Sequence, residues 1–457
     1  MRIRDVQWVI LLGLSMSPSA MTQASQRFDV GPGERYASIQ QALDQARPGD
    51  VISVAPGEYP ERLVVDKAVT LSGGGRAHIR GDCQGDVVLV AADNARVEGF
   101  SISGSGRNMM VSDAGIRVQG RQAEIVGNHL SDNLFGIYLD GCREALIEGN
   151  RIRGRAEMPL GQRGAGVHLF DAHHNRLRRN DVRQVRDGVY FDHSDFNTVE
   201  GNEFADLRYG VHYMYCSDNT FTGNLFRDSI AGVAVMYTER VQFRGNLIVN
   251  NRRGYNAFGL LLKECIDSVA EGNLIVNNGR GIFLDSSHRN LFRRNLVAYN
   301  DVGVVLYASS LENRFALNDF IDNSTTLHTV GKAKANWTPS GQGNYFSGYR
   351  GYDLDGDGVG DVPHRLQDAF EYLQGNRPLL RFYLSSAAAE TLAAAERSFP
   401  LVPSSGQFDQ APRMKPVSGV EEIDTLGQLS DPASPAASAA ALALLAAGGW
   451  LSWRLRR

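Results

Sequence analysis

The chain has 457 residues and a formal net charge of −4, because 47 lysines and arginines nearly balance 51 aspartates and glutamates. This balance provides no strongly basic surface and argues against a nucleic-acid partner. The length suits one large elongated domain with smaller segments around it.

Residues 1–24 have the order of a secretory signal. Arg2 and Arg4 precede an apolar run from Trp8 to Met16, and small residues follow as far as Ala24. The run is too short to cross a membrane, so we expect a cleaved signal peptide and an exported mature chain.

The stretch 36–47 (YASIQQALDQAR) predicts a short amphipathic helix that ends at Pro48. The apolar residues on its one face are Ile39, Ala42, Leu43 and Ala46. Strand-like stretches follow directly.

From Gly188 to Asn295 the chain repeats one unit, as in GVYFDHSDFNTVEGNEF, GVHYMYCSDNTFTGNLF and GVAVMYTERVQFRGNLI. Its commonest length is 22 residues, as from Asn202 to Asn224. Such a unit holds two or three short strands but no helix, and it cannot bury its apolar face alone. We therefore predict an all-β, right-handed parallel β-helix over residues 25–384, with the helix at 36–47 capping its open end.

Alternation along the Gly-led strand assigns its two faces. The residues one and three places after each Gly, such as Val211 and Tyr213, are apolar and should fill the core. The asparagines that end the units should form a ladder at a turn, because Asn tolerates left-handed backbone and its amide can bond to the next Asn. This column comprises Asn150, Asn180, Asn202, Asn224, Asn246, Asn273 and Asn295.

The repeat is interrupted twice. The interval 150–166 is eight residues longer than the equivalent interval 180–188, and the interval 246–259 is five residues longer. Insertions in solenoids form loops, often on the binding side, and plain surface loops are the alternative.

The outward positions of the Gly-led strands carry soft metal ligands. Met214 and Met236 occupy equivalent positions in consecutive units, and His212 precedes Met214 by two residues on the same face. Stacked coils place equivalent residues about 4.8 Å apart, and thioether with imidazole suits Cu(I). Cys216 is a further candidate ligand, although its column of small residues also indicates simple packing. A methionine-rich surface that contacts a partner protein is the alternative for the whole group.

An enzymatic interpretation is also open, because polysaccharide lyases and uronate epimerases include β-helices. Tyr190, Asp192, His193 and Asp195 show a faint likeness to an acidic-His motif of such an epimerase. In the neighbouring coils, no Arg or Lys accompanies these residues on the outward columns until Lys263, which is unfavourable for a groove that binds a polyuronate.

An aspartate-rich stretch follows the last repeat. Asp353, Asp355, Asp357 and Asp361 lie in a Gly-rich segment and predict a calcium site. His364 stands where an EF-hand has its glutamate, so this is not an EF-hand, and a solvated acidic turn is the alternative.

Residues 385–435 are rich in Ala, Ser and Pro, which indicates a flexible linker. An apolar run at 436–453 follows, with three arginines beyond it. The run is just long enough to span a bilayer, and the arginines favour the cytoplasmic side. We therefore expect residues 436–457 to anchor an exported solenoid in the inner membrane.

The N-terminal cap, the coils ending in Gly-Asn, and the strings VHYMYCSDNTFTGN, AGVAVMYT and NYFSGYRGYDLDGDGVGD together resemble the NosD family of nitrous oxide reductase maturation proteins. The resemblance covers roughly Gly31 to Pro378. It implies a periplasmic β-helix without catalytic residues. It also implies partners: the membrane and ATPase subunits of an ABC transporter, a copper chaperone, and apo nitrous oxide reductase, whose copper–sulfide centre they assemble. The C-terminal apolar run is not part of this resemblance.

Overall fold

The computed structural model describes residues 25–254, 257–367, 391 and 406–418. In these residues the chain forms a solenoid of short parallel strands with very little helix, which confirms the predicted fold class. The predicted signal segment 1–24 and the apolar run 436–453 lie outside the described residues. No helix in the described ranges is long and apolar enough to cross a membrane.

Each regular coil contributes one strand to each of three parallel sheets, which we name A, B and C. Within the described chain, sheet A has 12 strands. They are Leu63–Val65, Val88–Val90, Ala114–Val118, Phe135–Asp140, Val167–Phe170, Asp187–Asp192, Tyr209–Met214, Ala231–Glu239, Phe258–Ile266, Arg280–Asp285, Val302–Tyr307 and Thr325–Val330.

Sheets B and C join near the N-terminus through two longer strands, Thr70–Arg80 and Arg96–Ser103, which run from one sheet into the other. Sheet B otherwise contains Arg27–Val30, Val51–Val54, Glu124–Val126, Leu146–Glu148, Arg176–Arg178, Thr198–Glu200, Thr220–Thr222, Gln242–Arg244, Val269–Glu271, Leu291–Arg293 and Arg314–Ala316. Sheet C otherwise contains Gly57–Tyr59, His129–Leu130, Arg151–Arg153, Asp181–Arg183, Glu203–Ala205, Leu225–Arg227, Leu247–Val249, Leu274–Val276, Leu296–Ala298, Asp319–Ile321 and Tyr345–Phe346.

The α-helix Ile39–Gln45 packs against the first coils, as predicted, but it is shorter than the stretch 36–47. It begins where the Ser38 side chain accepts a hydrogen bond from the backbone N of Gln41 at 3.3 Å. Short 3-10 turns lie at Leu160–Gln162, in the first insertion, and at Pro339–Gly341.

The apolar columns of sheet A fill the core as predicted, and Val211 and Tyr213 are completely buried. Coil stacking explains the repeated Gly at the start of each unit. A Cβ on Gly210 would lie 2.4 Å from the carbonyl oxygen of Gly232 and 2.7 Å from a ring carbon of Phe226. The Gly column therefore marks the place where consecutive coils approach too closely for any side chain.

The predicted asparagine ladder is confirmed. The backbone N and the side-chain Nδ2 of Asn202 both donate to Oδ1 of Asn224, each at 3.0 Å. The same pattern continues from Asn128 to Asn344. The predicted backbone reason was wrong, because the left-handed residue is the one before each Asn, such as Gly201 with φ 63. Asn is therefore selected for its amide, and the preceding Gly for its backbone.

Residues 406–418, inside the predicted linker 385–435, close the C-terminal end of the solenoid instead. Asp409 lies in a strand paired with His364–Arg365, and its Oδ2 accepts hydrogen bonds from the N and Nδ2 of Asn344 at 2.7 and 2.9 Å. Gln407 is buried and accepts from the Trp337 indole at 2.8 Å. The linker prediction was wrong for this part, because composition does not reveal such specific buried contacts.

Candidate functional site

The outer surface of sheet A carries the candidate copper ligands. Backbone pairing sets Met214 directly beside Met236, and His212 beside Ala234, in consecutive strands. His212 and Met214 are two residues apart and share the outward face. We call His212, Met214 and Met236 the Met–His cluster. The structure thus places three of the four predicted ligands on one surface.

A buried carboxylate orients His212. Asp187 is inaccessible to solvent, and its Oδ2 lies 3.2 Å from His212 Nδ1 and 2.6 Å from a guanidinium nitrogen of Arg208. Burial would raise the pKa of the Asp187 carboxyl, but hydrogen bonds from His212 and Arg208 hold it at about 2. Nδ1 of His212 also lies 3.2 Å from the same guanidinium nitrogen of Arg208, so this nitrogen is engaged by the ion pair and Nε2 is the ring nitrogen left for another partner.

The His212 ring also ends a row of four adjacent rings along the outer face of sheet A, of which only Tyr190 and His212 are stacked face to face. Tyr138, His168, Tyr190 and His212 follow one another with ring centroids 4.6, 4.6 and 4.5 Å apart. The Tyr190 hydroxyl donates to the Met214 sulfur at 3.8 Å. One tyrosine therefore contacts both a histidine and a methionine of the Met–His cluster, and this restricts their rotamers.

His168 is a feature of this surface that the sequence analysis did not assign. It is 7% exposed, and neither ring nitrogen has a hydrogen-bond partner. Burial lowers the pKa of His168 to about 3, so the imidazole is neutral at physiological pH. The sequence feature that could have identified His168 is the alternation of Tyr and His at equivalent positions of consecutive units.

Cys216 does not join the Met–His cluster. Its sulfur accepts a hydrogen bond from the backbone N of Ser194 and donates to the carbonyl of Met214, both at 3.0 Å, and the residue is 2% exposed within the core. Burial raises the pKa of this thiol to about 12. A neutral thiol engaged with backbone is a packing group rather than a surface ligand.

Exposed aromatic side chains lie beside the Met–His cluster. Phe170, Phe196 and Tyr215 are 43%, 52% and 53% exposed, although apolar side chains of this size are usually covered. The Tyr215 ring stacks on Tyr237 with centroids 5.1 Å apart. We call these four residues the aromatic ridge.

The four residues of the enzymatic alternative do not converge. Asp192 lies 2.6 Å from His193 Nδ1, so these two are paired. Asp195 instead accepts a hydrogen bond from the backbone N of Ser217 at 2.6 Å, within a turn. Burial raises the pKa of Tyr190, which makes it a poor base at neutral pH.

A pocket of about 540 Å³ opens beside the ridge at the end of the sheet A strands. Its lining includes Glu239, Glu264 and His288. Two carboxylates in the wall are unfavourable for a polyuronate chain, because like charges repel.

The aspartate-rich loop brings together part of the predicted calcium set. Carboxylate oxygens of Asp353, Asp355 and Asp357 lie within 4.8 Å of one another. Asp361 is not in this group, and its carboxylate accepts a hydrogen bond from the backbone N of Leu354 at 2.7 Å. Hydrogen bonds from the backbone of Gly358 and then Gly356 lower the pKa of Asp353.

Comparison of the sequence with known proteins shows which family the chain resembles. The family model described as "Periplasmic copper-binding protein (NosD)" matches residues 149–351, which include the Met–His cluster. A "Probable ABC transporter binding protein NosD" of Stutzerimonas stutzeri is 34% identical over 79% of this chain and 85% of its own length. A protein of the same name from Pseudomonas aeruginosa is 37% identical, over 79% and 88%.

Solved structures resemble the chain much more distantly. A family 28 exopolygalacturonase of Yersinia enterocolitica has a TM-score of 0.48 and 10% identity, covering 64% of this chain and 73% of its own. The mannuronan C-5 epimerase AlgE6 A-module of Azotobacter vinelandii has a TM-score of 0.43 and 13% identity, covering 67% and 93%. Similarities at this level carry no information on activity. The two curated relatives are matched over most of their length, and the chain belongs to the NosD family.

Proposed function

We propose that this chain is a periplasmic, non-enzymatic accessory protein that holds copper transiently and assists assembly of the copper–sulfide centre of nitrous oxide reductase. The pairing of Met214 with Met236, with His212 on the same outward face, carries this proposal. The description of the family as copper-binding agrees with that donor set.

The donors fit Cu(I) as a cargo. Two thioethers and one imidazole are soft or borderline ligands, and Cu(I) accepts low coordination numbers. The Met side chains are unbranched and flexible, so paired positions about 4.8 Å apart allow both sulfurs to reach one ion. A cluster without a thiolate binds less tightly than a cysteine site, which suits release to a recipient.

The partners are proposed from the aromatic ridge and from the names of the relatives. Both relatives are named as ABC transporter binding proteins, and we propose docking on the membrane and ATPase subunits of such a transporter. A copper chaperone and the apo-reductase exchange copper at the Met–His cluster, beside the exposed ridge. The apolar run 436–453 anchors the solenoid in the inner membrane, which would keep it near the transporter.

Copper binding is tested by titrating the exported protein with Cu(I) against a chromogenic Cu(I) chelator. Replacing both Met214 and Met236 by leucine keeps apolar volume but removes the sulfurs, and we expect affinity to fall by more than about tenfold. Met158→Leu in the first insertion is the matched control and should leave affinity unchanged. Equal affinity of the wild type and the double variant would refute the assigned ligands.

The role in assembly is tested in a deletion strain. We expect a reductase that is made and exported but lacks its copper–sulfide centre, with the defect restored by wild-type protein and not by the Met214→Leu, Met236→Leu variant. A fully loaded and active reductase in the deletion strain would overturn the proposed function.

A polysaccharide lyase or uronate epimerase is the second candidate, favoured only by the 2.6 Å pairing of Asp192 with His193. It predicts that purified protein degrades or epimerises alginate or pectate and that Asp192→Asn abolishes this activity. Absence of product with the wild-type protein removes this candidate.

A further inference from the structure

The imidazole of His168 is buried without a hydrogen-bond partner. His168 belongs to the outward side of its sheet A strand, because its neighbours Val167 and Leu169 fill the core. It is nevertheless only 7% exposed. In the described part of the chain, no other side chain has two buried polar atoms that lack a partner. An unpaired buried polar group lowers the stability of a fold, so stability does not explain this residue.

Coil stacking does not explain it either. The same outward column continues from His212 to Ala234, Leu261 and Phe283 in later coils. Apolar side chains of different sizes are thus accommodated at this position of the repeat. The presence of a histidine at position 168 therefore indicates a use for its ring nitrogens.

Aromatic rings enclose His168. The ring centroids of Phe135, Tyr138 and Tyr190 lie 5.6, 4.6 and 4.6 Å from the ring centroid of His168. Phe135 and Tyr138 are almost fully buried in a small apolar cluster with Leu134, whereas Tyr190 packs against this cluster and is only partly buried. Tyr190 is therefore the wall of the enclosure that meets solvent.

Tyr190 also connects His168 with the Met–His cluster. It pairs with His168 in the preceding strand and with His212 in the following one, so its ring lies between the two imidazoles. Its hydroxyl donates to the Met214 sulfur at 3.8 Å. Cu(I) that binds this sulfur takes up a lone pair and competes with the hydrogen bond. Copper on Met214 therefore releases the ring that separates the two histidines.

We propose that His168 is a further ligand of Cu(I), which it binds together with His212 once Tyr190 has turned out of the space between them. This inference rests on the proposed function, because Cu(I) first enters at the Met–His cluster. The two histidines are two coil steps apart, or about 10 Å between backbones. Two imidazoles that lean towards each other satisfy the low coordination number that Cu(I) accepts. The copper thereby moves from exposed thioethers to a more enclosed position.

Replacing His168 by leucine, which the same column carries at Leu261, tests this role. The Cu(I) affinity of the exported protein, measured against a chromogenic chelator, should fall by about tenfold or more. The melting temperature of the metal-free protein should stay the same or rise, because the unpaired polar group is gone. His129→Leu, at an exposed position of sheet C, is the control and should change neither quantity.

The outcomes separate this inference from the function on which it rests. If His168→Leu binds Cu(I) as tightly as the wild type, while the paired Met214→Leu and Met236→Leu changes weaken binding, the inference is wrong and the proposed function stands. If the wild type binds no Cu(I), the proposed copper site is wrong and the role of His168 falls with it.

Chemical modification supplies a second measurement that keeps His168 in place. Diethyl pyrocarbonate reacts with accessible neutral imidazoles, so His168 in the metal-free wild type should resist it. Tyr190→Ala removes one wall of the enclosure and should make His168 reactive, as peptide mass spectrometry would show. Stoichiometric Cu(I) should then suppress the reaction at His168 but not at exposed His129. A His168 that stays unreactive in metal-free Tyr190→Ala, or that Cu(I) does not protect there, overturns the inference.

Discussion

The outer faces of sheets A and C come from the same coils but differ in chemistry. One coil supplies Met214 to the outside of sheet A and Leu225 to the outside of sheet C. Sheet A displays rings and thioethers, of which His212, Met214 and Met236 are partly exposed, whereas most of the aliphatic residues on the later half of sheet C are buried. In a solenoid, stacking dictates the inward residues and the turns, so each outer face is free to acquire a separate role.

A substitution in the core beneath both faces should cause the largest loss of stability. Val211→Asp places an unpaired carboxylate in a fully buried position and should cost several kcal/mol, on the order of 4, unfolding the neighbouring coils. Thr198→Asp, at an outward position of sheet B, is the control, with an expected change within about 0.5 kcal/mol. Thermal unfolding followed by circular dichroism distinguishes them, and similar melting temperatures would contradict the assigned strand faces.

A direct comparison of the two outer faces should give the next largest difference. Leu247→Asp on sheet C should lower the free energy of unfolding by about 2–4 kcal/mol, because the side chain is 1% exposed. Leu261→Asp on sheet A should cost less than about 1 kcal/mol, because this position is already partly solvated. Urea unfolding midpoints measure both, and equal losses would mean that the two faces are equally open.

Asp187 on sheet A and Asp319 on sheet C should affect the stability of the protein at low pH in different ways. The pKa of Asp187, in a strand of sheet A, is lowered to about 2, so its stabilisation is full above pH 4 and is lost as the pH falls towards 2. From the ordinary value of 3.8 this amounts to about 2 kcal/mol. Burial raises the pKa of Asp319, on sheet C, so its ionised form costs stability that protonation restores.

The two Asn variants should therefore change the pH dependence in opposite directions. Between pH 5 and 2, stability should fall less steeply than in the wild type for Asp187→Asn and more steeply for Asp319→Asn. Denaturant unfolding at a series of pH values measures these slopes. If both variants showed the same pH dependence as the wild type, the opposite pKa shifts of Asp187 and Asp319 would be contradicted.

The aspartate-rich loop lies outside both faces and should give the smallest effect. Calcium that binds only the folded protein should stabilise a metal-stripped sample and raise its melting temperature. At a free calcium concentration of ten times the dissociation constant, the gain in free energy of unfolding is about 1.4 kcal/mol. Asp355→Asn should abolish the increase, whereas Asp361→Asn should preserve it, because Asp355 belongs to the group of three carboxylates and Asp361 does not. A melting curve that calcium does not change would show the loop to be a plain turn.

The fold was predictable because its determinants recur at fixed spacing. The repeated Gly indicates where the backbones of consecutive coils approach closely, and the repeated Asn indicates the hydrogen-bonded ladder. The alternation of residues such as Val211 indicates which side chains fill the core. A repeated signal also gives the register, and the register alone placed Met214 beside Met236.

The remaining features depend on contacts that do not repeat. Cys216 and Met214 are two residues apart, yet the turn between them directs the thiol into the core. The sequence around Asp187 gives no sign of its role, because its partners Arg208 and His212 belong to the next coil. The leucines of sheet C follow Asn in several units, but the sequence did not show that they form a cluster separate from the core.

Asp409 has a consequence for the size of the solenoid. Every Asn of the ladder donates towards the C-terminal end, so the ladder has a direction, and its last donors, on Asn344, meet a carboxylate that can only accept. The ladder therefore ends at Asp409 and does not continue into the first coil of another molecule. Because this stop lies outside the repeat, duplicating a 22-residue unit between Asn202 and Asn224 would lengthen the protein without altering either end. The number of coils, and with it the distance between the two ends of the molecule, is thus a quantity that evolution or design can change one coil at a time.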